Sequence, residues 1–464
     1  MSDKSVKKVA FCTLGCKVNQ YETDAMNELF AARGYETVDF GECADIYVIN
    51  TCTVTNMADR KSRQMLHRAK KRNPEAVVAA VGCYVQAAGE KLLEDGRVDL
   101  IVGNNQKNKI VDIVEEYMSK SDPAKEARLV DIAHEDTYET LSISKVSEHT
   151  RAYIKIQDGC NQFCSYCIIP FARGRVRSRK TEDIVDEVRR LADHGYKEVV
   201  LTGIHISSYG LDFEGENYNR HPENGNHLLD LIEKIAGVDS ILRIRLGSLE
   251  PRIITDDFAR RLSSIEKVCG HFHLSLQSGC DATLARMNRH YTAAEYKERC
   301  DILRKYFDCP ALTTDVIVGF PGETKEEFET TEKFLEEIAF AQMHIFKYSR
   351  RSGTKAAAME NQVAENIKTE RSDRLLLLNS RLEERYRAQW RRRPMEILLE
   401  ESVQIHGKTY MTGHSKAYIR AAVEADDESH TKASDNKSLQ ANEVIRVVSK
   451  DKTEGEFLIC ERID

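Results

Sequence analysis

Three cysteines stand at the ends of three apolar runs, each one βα unit from the next, and that regularity constrains the fold more than any other feature. Cys16 closes "VAFCTLGC", Cys52 closes "IYVINTC" and Cys83 closes "VVAAVGC". Helical patterns such as "NQYETDAMNELFAARG" and "NMADRKSRQMLHRAKKRN" fill the intervals of 36 and 31 residues. Alternation of this kind predicts βαβ crossovers and a parallel sheet, in which successive strand C-termini meet along one edge. Three thiolates far apart in sequence would then converge. Gly15 and Gly82 precede two of them and allow a sharp turn beside a bulky ligand, and Asn19 can hydrogen-bond within the first turn. Taken singly, each cysteine is an ordinary buried small hydrophobe. At three equivalent positions they read as a ligand set.

A second triad lies in "DGCNQFCSYCIIP", where Cys160, Cys164 and Cys167 form C-x3-C-x2-C. It follows the first of six further strand-like runs: "RAYIKIQ", "EVVLTGIH", "ILRIRLGSL", "HFHLSLQSG", "LTTDVIVGF" and "AQMHIFKYS". Six βα repeats predict a partial barrel, with an open doubly wound sheet as the alternative. Three thiolates so close suit three corners of a 4Fe-4S cluster and leave one iron open, as catalytic metal sites do. Zinc with a distant fourth ligand and reduced bystander thiols are the competing readings. Cys12, Cys43, Cys269, Cys280, Cys300, Cys309 and Cys460 are assigned to packing. His271 and His273 share one strand face and read as core or cavity histidines.

At 464 residues the chain exceeds a single core. The expected fold class is α/β: an N-terminal parallel βαβ domain over 5–120, a linker over 121–145 that carries a short strand, a partial (β/α)6 barrel over 146–379, and a small all-β barrel over 380–464. A long charged helix is expected over 365–392, ending near Pro394. No segment approaches the ~20 apolar residues of a membrane span, and the basic start lacks an apolar export core. No membrane association is expected, and the expected location is the cytoplasm. Thirteen cysteines, an odd number in a reducing compartment, then point to metal or redox chemistry rather than disulfides.

The net charge of −7 argues against indiscriminate nucleic-acid binding, so local patterns carry that question. "RKSRQMLHRAKKR", residues 60–72, has seven Lys or Arg and no acid. "FARGRVRSRK" sets Arg173, Arg175, Arg177 and Arg179 at alternate positions, which in an extended chain project to one side as an RNA-binding ladder. Residues 380–464 hold 15 basic and 16 acidic residues, so RNA contact there needs a patterned face such as Arg391, Arg392, Arg393, Lys408 and Lys416. The acidic stretch "EADDESH" is expected to lie away from it.

"TLGCKVNQYE", "NTCTVT", "VGCY", "GCNQFCSYCIIPFARGRVRSR" and the β-rich tail together resemble the radical S-adenosylmethionine (SAM) methylthiotransferase family over nearly the whole chain. The resemblance implies that the open iron of the Cys160 triad binds the amino and carboxylate groups of SAM. Electron transfer then cleaves SAM to a 5'-deoxyadenosyl radical. It implies a second, auxiliary 4Fe-4S cluster on Cys16, Cys52 and Cys83, and an RNA-contacting TRAM domain in the tail. SAM contacts are expected at Tyr166, Thr202, Gly203, Ser248, Glu250, Ile317 and Gly319, with Glu323 near the adenine. One SAM would methylate a sulfur held at the auxiliary cluster; another would supply the radical that removes hydrogen from an unactivated carbon. "CTLGCKVNQYET" and "IIPFARGRVRSR" look most like the branch acting on threonylcarbamoyladenosine next to the tRNA anticodon, with Arg173 and Arg175 as candidates for placing tRNA or the threonyl carboxylate. Isopentenyladenosine in tRNA and an aspartate of a ribosomal protein are the alternatives within the chemistry; a zinc-containing RNA-binding protein is the alternative outside it. The expected partners are that tRNA, an electron donor such as flavodoxin or ferredoxin, and a sulfur donor the sequence does not identify.

Overall fold

The computed structural model describes residues 6–144, 150–213, 226–425 and 439–463. Most of "EADDESH" falls outside them. The N-terminal sheet contains β1 (Lys8–Thr13), β2 (Glu36–Val38), β3 (Ile46–Thr51), β4 (Val77–Gly82), β5 (Leu100–Val102) and β6 (Glu126–Arg128). All are parallel, in the order β2-β1-β3-β4-β5-β6. The central β3 and β4 are buried at every residue, because helices cover both faces; this is why they read as unbroken apolar runs. α1 (Lys17–Ala32) leads out of β1 and α2 (Asn56–Arg72) out of β3. The strand order reverses between β1 and β3, so the chain ends carrying Cys16 and Cys52 flank the crevice of a topological switch point.

The second unit uses β7 (Arg151–Asp158), the two-residue β8 (Arg177–Ser178), β9 (Glu198–Gly203), β10 (Arg243–Leu246), β11 (His271–His273), β12 (Ala311–Val318) and β13 (Gln342–Lys347). β7, β9 and β10 form one parallel run, and β11, β12 and β13 another. Bridges Ile244↔Val268 and Leu249↔Leu274 join them into a six-stranded arc. Residues alternate along each strand: Ala152, Ile154, Leu201, Ile244, Phe272 and Val316 point outward into the helix-covered core. The opposite row, including Arg151, Tyr153, Arg245, His273 and Asp315, lines the lumen.

The tail is a closed five-stranded barrel of β14 (Pro394–Ile405), β15 (Lys408–Ser415), β16 (Arg420–Glu424), β17 (Val444–Glu454) and β18 (Phe457–Arg462), in the order β14-β15-β16-β18-β17. A 24-residue helix, Glu365–Ala388, delivers the chain to it. Tyr386 and Trp390, at and beyond the end of that helix, join Ala311 and Ala341 of the arc in the tail's own apolar core. The tail also plugs the base of the lumen. Arg243 Nη1 donates to the His414 carbonyl at 2.8 Å, Arg245 Nη2 to that of Ser415 at 3.1 Å, and the His271 ring stacks on Tyr418 with centroids 4.1 Å apart. α1 packs against the arc as well, contributing Tyr21 and Ala25 to its core. Among the described residues no helix is long and apolar enough to cross a membrane.

Burial holds His271 neutral, well below the usual imidazole value of 6.5, and the cations of Arg245 and Lys17 push the same way. An unfolded chain binds a proton there as pH falls past 6.5, while the folded chain does not, so stability is present above that value and lost below it. The thermal midpoint should therefore fall between pH 7 and about 5.5, and more shallowly in His271→Phe. Parallel slopes for the two proteins would remove His271 from the tail-docking account.

Candidate active site

The N-terminal triad is built by turns that tolerate only glycine. Gly15 sits at φ +104°, and a Cβ there would lie 2.8 Å from Cys52 Sγ. Gly82 sits at φ +95°, where a Cβ would meet Asn50 Oδ1 at 2.5 Å. Asn19 Nδ2 donates to the carbonyls of Leu14 at 2.7 Å and Thr51 at 3.1 Å, tying the loop that holds Cys16 to the strand end that holds Cys52. The thiols are close enough that Cys16 feels the charge of Cys83, and Cys52 that of both. Burial pushes Cys16 up and Cys52 up to about 11. Cys16 and its neighbour Lys17 keep accessible surface, but they keep it inside a concavity that protein surrounds.

The second triad occupies the loop after β7. A Cβ at Gly159 would collide with the Arg175 carbonyl, and the Cys160 amide donates to the Gly174 carbonyl at 3.0 Å. Burial pushes the Cys160 thiol up to about 12 and raises Cys167 as well, with the charge of Cys164 adding to both. N–H groups aim at sulfur in both triads. Arg173 Nε lies 3.1 Å from Cys83 Sγ, Arg289 Nη1 3.4 Å from Cys164 Sγ and the Gln162 amide 3.5 Å from Cys160 Sγ. All-cysteine donor sets of three with hydrogen bonds to the sulfurs fit iron-sulfur clusters, whose electron-rich thiolates such donors stabilise. Arg289, in "MNRHY", carries no sequence signal of this position.

Beside the second triad the buried carboxylate of Glu250 accepts from Arg252 Nε at 2.8 Å through one oxygen, while the other oxygen has no partner. His205 Nε2 is likewise buried without a partner, and burial lowers that imidazole to about 3. Unpaired buried polar atoms are costly and rare, so the pair marks where a polar ligand is missing. Thr202 and Gly203 end β9 in the same neighbourhood, Gly203 packing against Gln157. Ser248 is exposed. Tyr166 and Ile317 line a cavity of about 210 Å³ together with Val54, Thr55, Asp315 and Phe346, so the loop after Cys52 and the mouth of the arc share one hollow. Gly319, at φ +70°, donates its amide to Glu323 at 2.6 Å and is backed by the Lys368 side chain. Deeper in the lumen, His273 Nε2 stands 3.3 Å from Asp315 Oδ2, and Thr313 Oγ1 holds the rings of both His271 and His273.

The expected ladder of surface arginines is corrected by the structure. Arg173, Arg177 and Arg179 are 0%, 1% and 3% exposed, and only Arg175 reaches the surface, its guanidinium 4.7 Å over the Phe163 ring. The segment is not extended: a short helix, Ile169–Arg173, and a turn at Gly174 with φ +72° precede β8. Arg179 pairs with buried Glu187, and Arg177 donates to the carbonyls of Arg173 and Arg175. Arg173 is saturated by Glu22 at 2.7 Å, Asp158 at 3.1 Å, Asn19 Oδ1 at 2.7 Å and Cys83 Sγ. The proposed basic face of the tail is also self-paired: Arg391 meets Glu384, Arg392 meets Asp451, Arg393 meets Asp308 and Lys408 meets Glu424. α2 keeps its basic residues mostly in solvent, with only Ser62, Leu66 and Ala69 buried.

Removing Arg173 would leave Glu22, Asp158 and Glu139 with mainly Lys155 and Lys107 to balance them in a dry interior. Arg173→Gln is expected to destabilise the protein by about 3–5 kcal/mol, read from denaturant midpoints. A loss below about 1 kcal/mol would mean that Glu22 and Asp158 are balanced by other groups.

The Radical SAM superfamily profile matches residues 154–335, and residues 8–103 match the uncharacterized protein family UPF0004. The chain is 40% identical over 453 residues to the threonylcarbamoyladenosine tRNA methylthiotransferase MtaB of Bacillus subtilis, covering 96% of this chain and 98% of that protein. It is 35% identical over 394 residues to the tRNA-2-methylthio-N(6)-dimethylallyladenosine synthase of Methylacidiphilum infernorum, covering 84% and 83%. In fold it is similar to the radical SAM methyltransferase TsrM of Kitasatospora setae, with a TM-score of 0.54 at 14% identity over 76% of this chain and 77% of that one.

Proposed function

The chain belongs to the radical SAM methylthiotransferase family, and from that premise we propose that it converts threonylcarbamoyladenosine of tRNA to its 2-methylthio derivative with two 4Fe-4S clusters. The observation that supports the reading best is the shared hollow: its wall takes Val54 and Thr55 from the loop just past Cys52 of one triad, and Tyr166, the neighbour of Cys167, from the other. Cys160, Cys164 and Cys167 would hold the cluster that binds SAM, and Cys16, Cys52 and Cys83 the auxiliary one. Bound there, SAM and the clusters supply a methyl group and the radical chemistry needed at a carbon whose hydrogen is not acidic.

The chain's own residues bind, orient and exclude water. Glu250 offers its free oxygen to an N–H or O–H of SAM, and His205 Nε2 can accept or donate beside it. Tyr166, Thr202, Gly203, Ile317 and Gly319 would frame the same ligand, with Ser248 at its solvent edge. α1 and the tail barrel close the arc from the side and the base, which keeps the lumen from bulk water and side reactions. Arg175, the one exposed member of the Arg173–Arg179 series, is the candidate for contact with tRNA phosphate, with the basic face of α2 as a second. A TRAM-like role for the tail, an iron-sulfur or flavin electron donor and cytoplasmic residence belong to the same proposal.

Isopentenyladenosine is the competing substrate, and Val54, Ile317 and Phe346 give the hollow an apolar wall that a prenyl group would suit. Nucleoside mass spectrometry decides between them. With anticodon stem-loops carrying each modification, turnover is expected on the threonylcarbamoylated RNA and little on the isopentenylated one; equal turnover would overturn the substrate assignment. Anaerobic reconstitution should give about eight irons per chain, falling to about four when Cys160, Cys164 and Cys167 are all replaced by Ala. Stoichiometric zinc without iron would end the radical reading.

A further inference from the structure

The lumen is rich in cations, and nearly all are spoken for. Arg151 pairs with Glu400 at 3.2 Å, Arg245 with Glu198 at 2.7 Å, and Lys155 with Glu22 at 2.8 Å and Asp158 at 2.6 Å. Lys17 is different. It opens α1 directly after Cys16, and its ammonium group stands 5.9 Å from the centroid of Tyr153 on the inward row of β7. Its charge is felt by His271 at the base of the lumen, and it feels Arg151 and Arg245 together with the more distant carboxylate of Glu198. Among the described residues no carboxylate lies within ion-pair distance of it. A cation surrounded by protein, beside other cations and with no carboxylate at ion-pair distance, is a place for an anion brought by a ligand.

We propose that Lys17 is the specificity residue of the substrate pocket, and that it takes the carboxylate of an acidic substituent on the adenine N6. The inference rests on the substrate reading given above. In adenine, C2 and C6, the carbon that bears the exocyclic N6, flank the same ring nitrogen and their outward bonds diverge. With C2 turned toward the hollow between the two triads, the N6 substituent is directed elsewhere, and the lumen is the space available to it. Threonylcarbamoyl ends in a carboxylate and a hydroxyl; isopentenyl has nothing for an ammonium group to bind. Arg173, one of the two arginines the sequence offers for tRNA or that carboxylate, already has four partners. Lys17 has the free charge.

The test uses reconstituted enzyme under anaerobic conditions and reads equilibrium binding by fluorescence anisotropy. Two probes are compared: a threonylcarbamoylated anticodon stem-loop, and the same RNA with the threonine carboxylate converted to the primary amide. Wild type should bind the acid about 10- to 100-fold tighter than the amide. Lys17→Gln should bring that ratio close to one, and Lys17→Arg should retain most of it. The ratio is taken within one preparation, so partial loss of folded or loaded protein cancels. If wild type prefers the acid and Lys17→Gln keeps the preference, Lys17 is not the recognition element and the substrate reading stands. If wild type binds acid and amide alike and modifies the isopentenylated stem-loop instead, the substrate reading itself fails and takes the Lys17 assignment with it.

Discussion

The guanidinium of Arg173 is the interaction on which the architecture turns. It leaves the polypeptide six residues after Cys167, in the loop of one triad, and ends against Cys83 Sγ in the other. On the way it neutralises Glu22 of α1 and Asp158 at the end of β7. Lys155 and Lys107 approach the same carboxylates, at 2.8 and 3.1 Å from Glu22, so several charges from both units share one dry interior. Hydrophobic residues of equal volume would often be as stable, because desolvating so many ions costs most of what their attraction returns. What the network supplies instead is register: the charges are satisfied in one docking of sheet on arc, and that docking sets residues adjoining both triads around a common hollow.

The same logic governs the base of the lumen. Arg243 and Arg245 belong to an arc strand, yet both also reach the backbone of β15 and the turn beyond it, and Tyr418 from that turn closes over His271. Backbone carbonyls at a strand end need donors, and the arc provides them. A partial barrel is an open sheet; here α1 and the tail stand where the missing strands would be. For chemistry that depends on a radical, such enclosure matters as much as any first contact with substrate, since water and stray hydrogen donors compete with the intended carbon.

How much of this could be read from the sequence depends on the range of the interaction. The βαβ order, the six arc strands and four of the five tail strands follow from local periodicity; β15, interrupted by Gly413, does not announce itself that way. The glycines beside Cys16 and Cys83 were legible because a positive φ leaves a residue-type signature. The arginine series was misread for the opposite reason. Alternation implies a common side only in an extended chain, and Gly174 breaks that geometry. The acids that draw Arg173 and Arg179 inward sit on β7, α1 and the following helix, Thr181–Asp193, and Glu22 is a surface-type residue until tertiary packing buries it. Lys17 was equally silent, since a lysine at a helix start is ordinary until the lumen is seen to surround it.

Docking and recognition consequently draw on one set of charges. Glu198 and Glu400 neutralise the arginines of the lumen, and Glu22 and Asp158 those between the units, so each carboxylate that fastens two elements also cancels a cation the substrate would otherwise meet. A cation left over is informative only because the rest are matched. Were Arg151 or Arg245 unpaired as well, the lumen would attract any phosphate of the RNA backbone and the base would compete with its own chain for the site. Pairing those arginines internally removes non-specific anion sites from the lumen, and a pocket stripped of surplus charge in this way can tell ligands apart by whichever polar group is left to meet them.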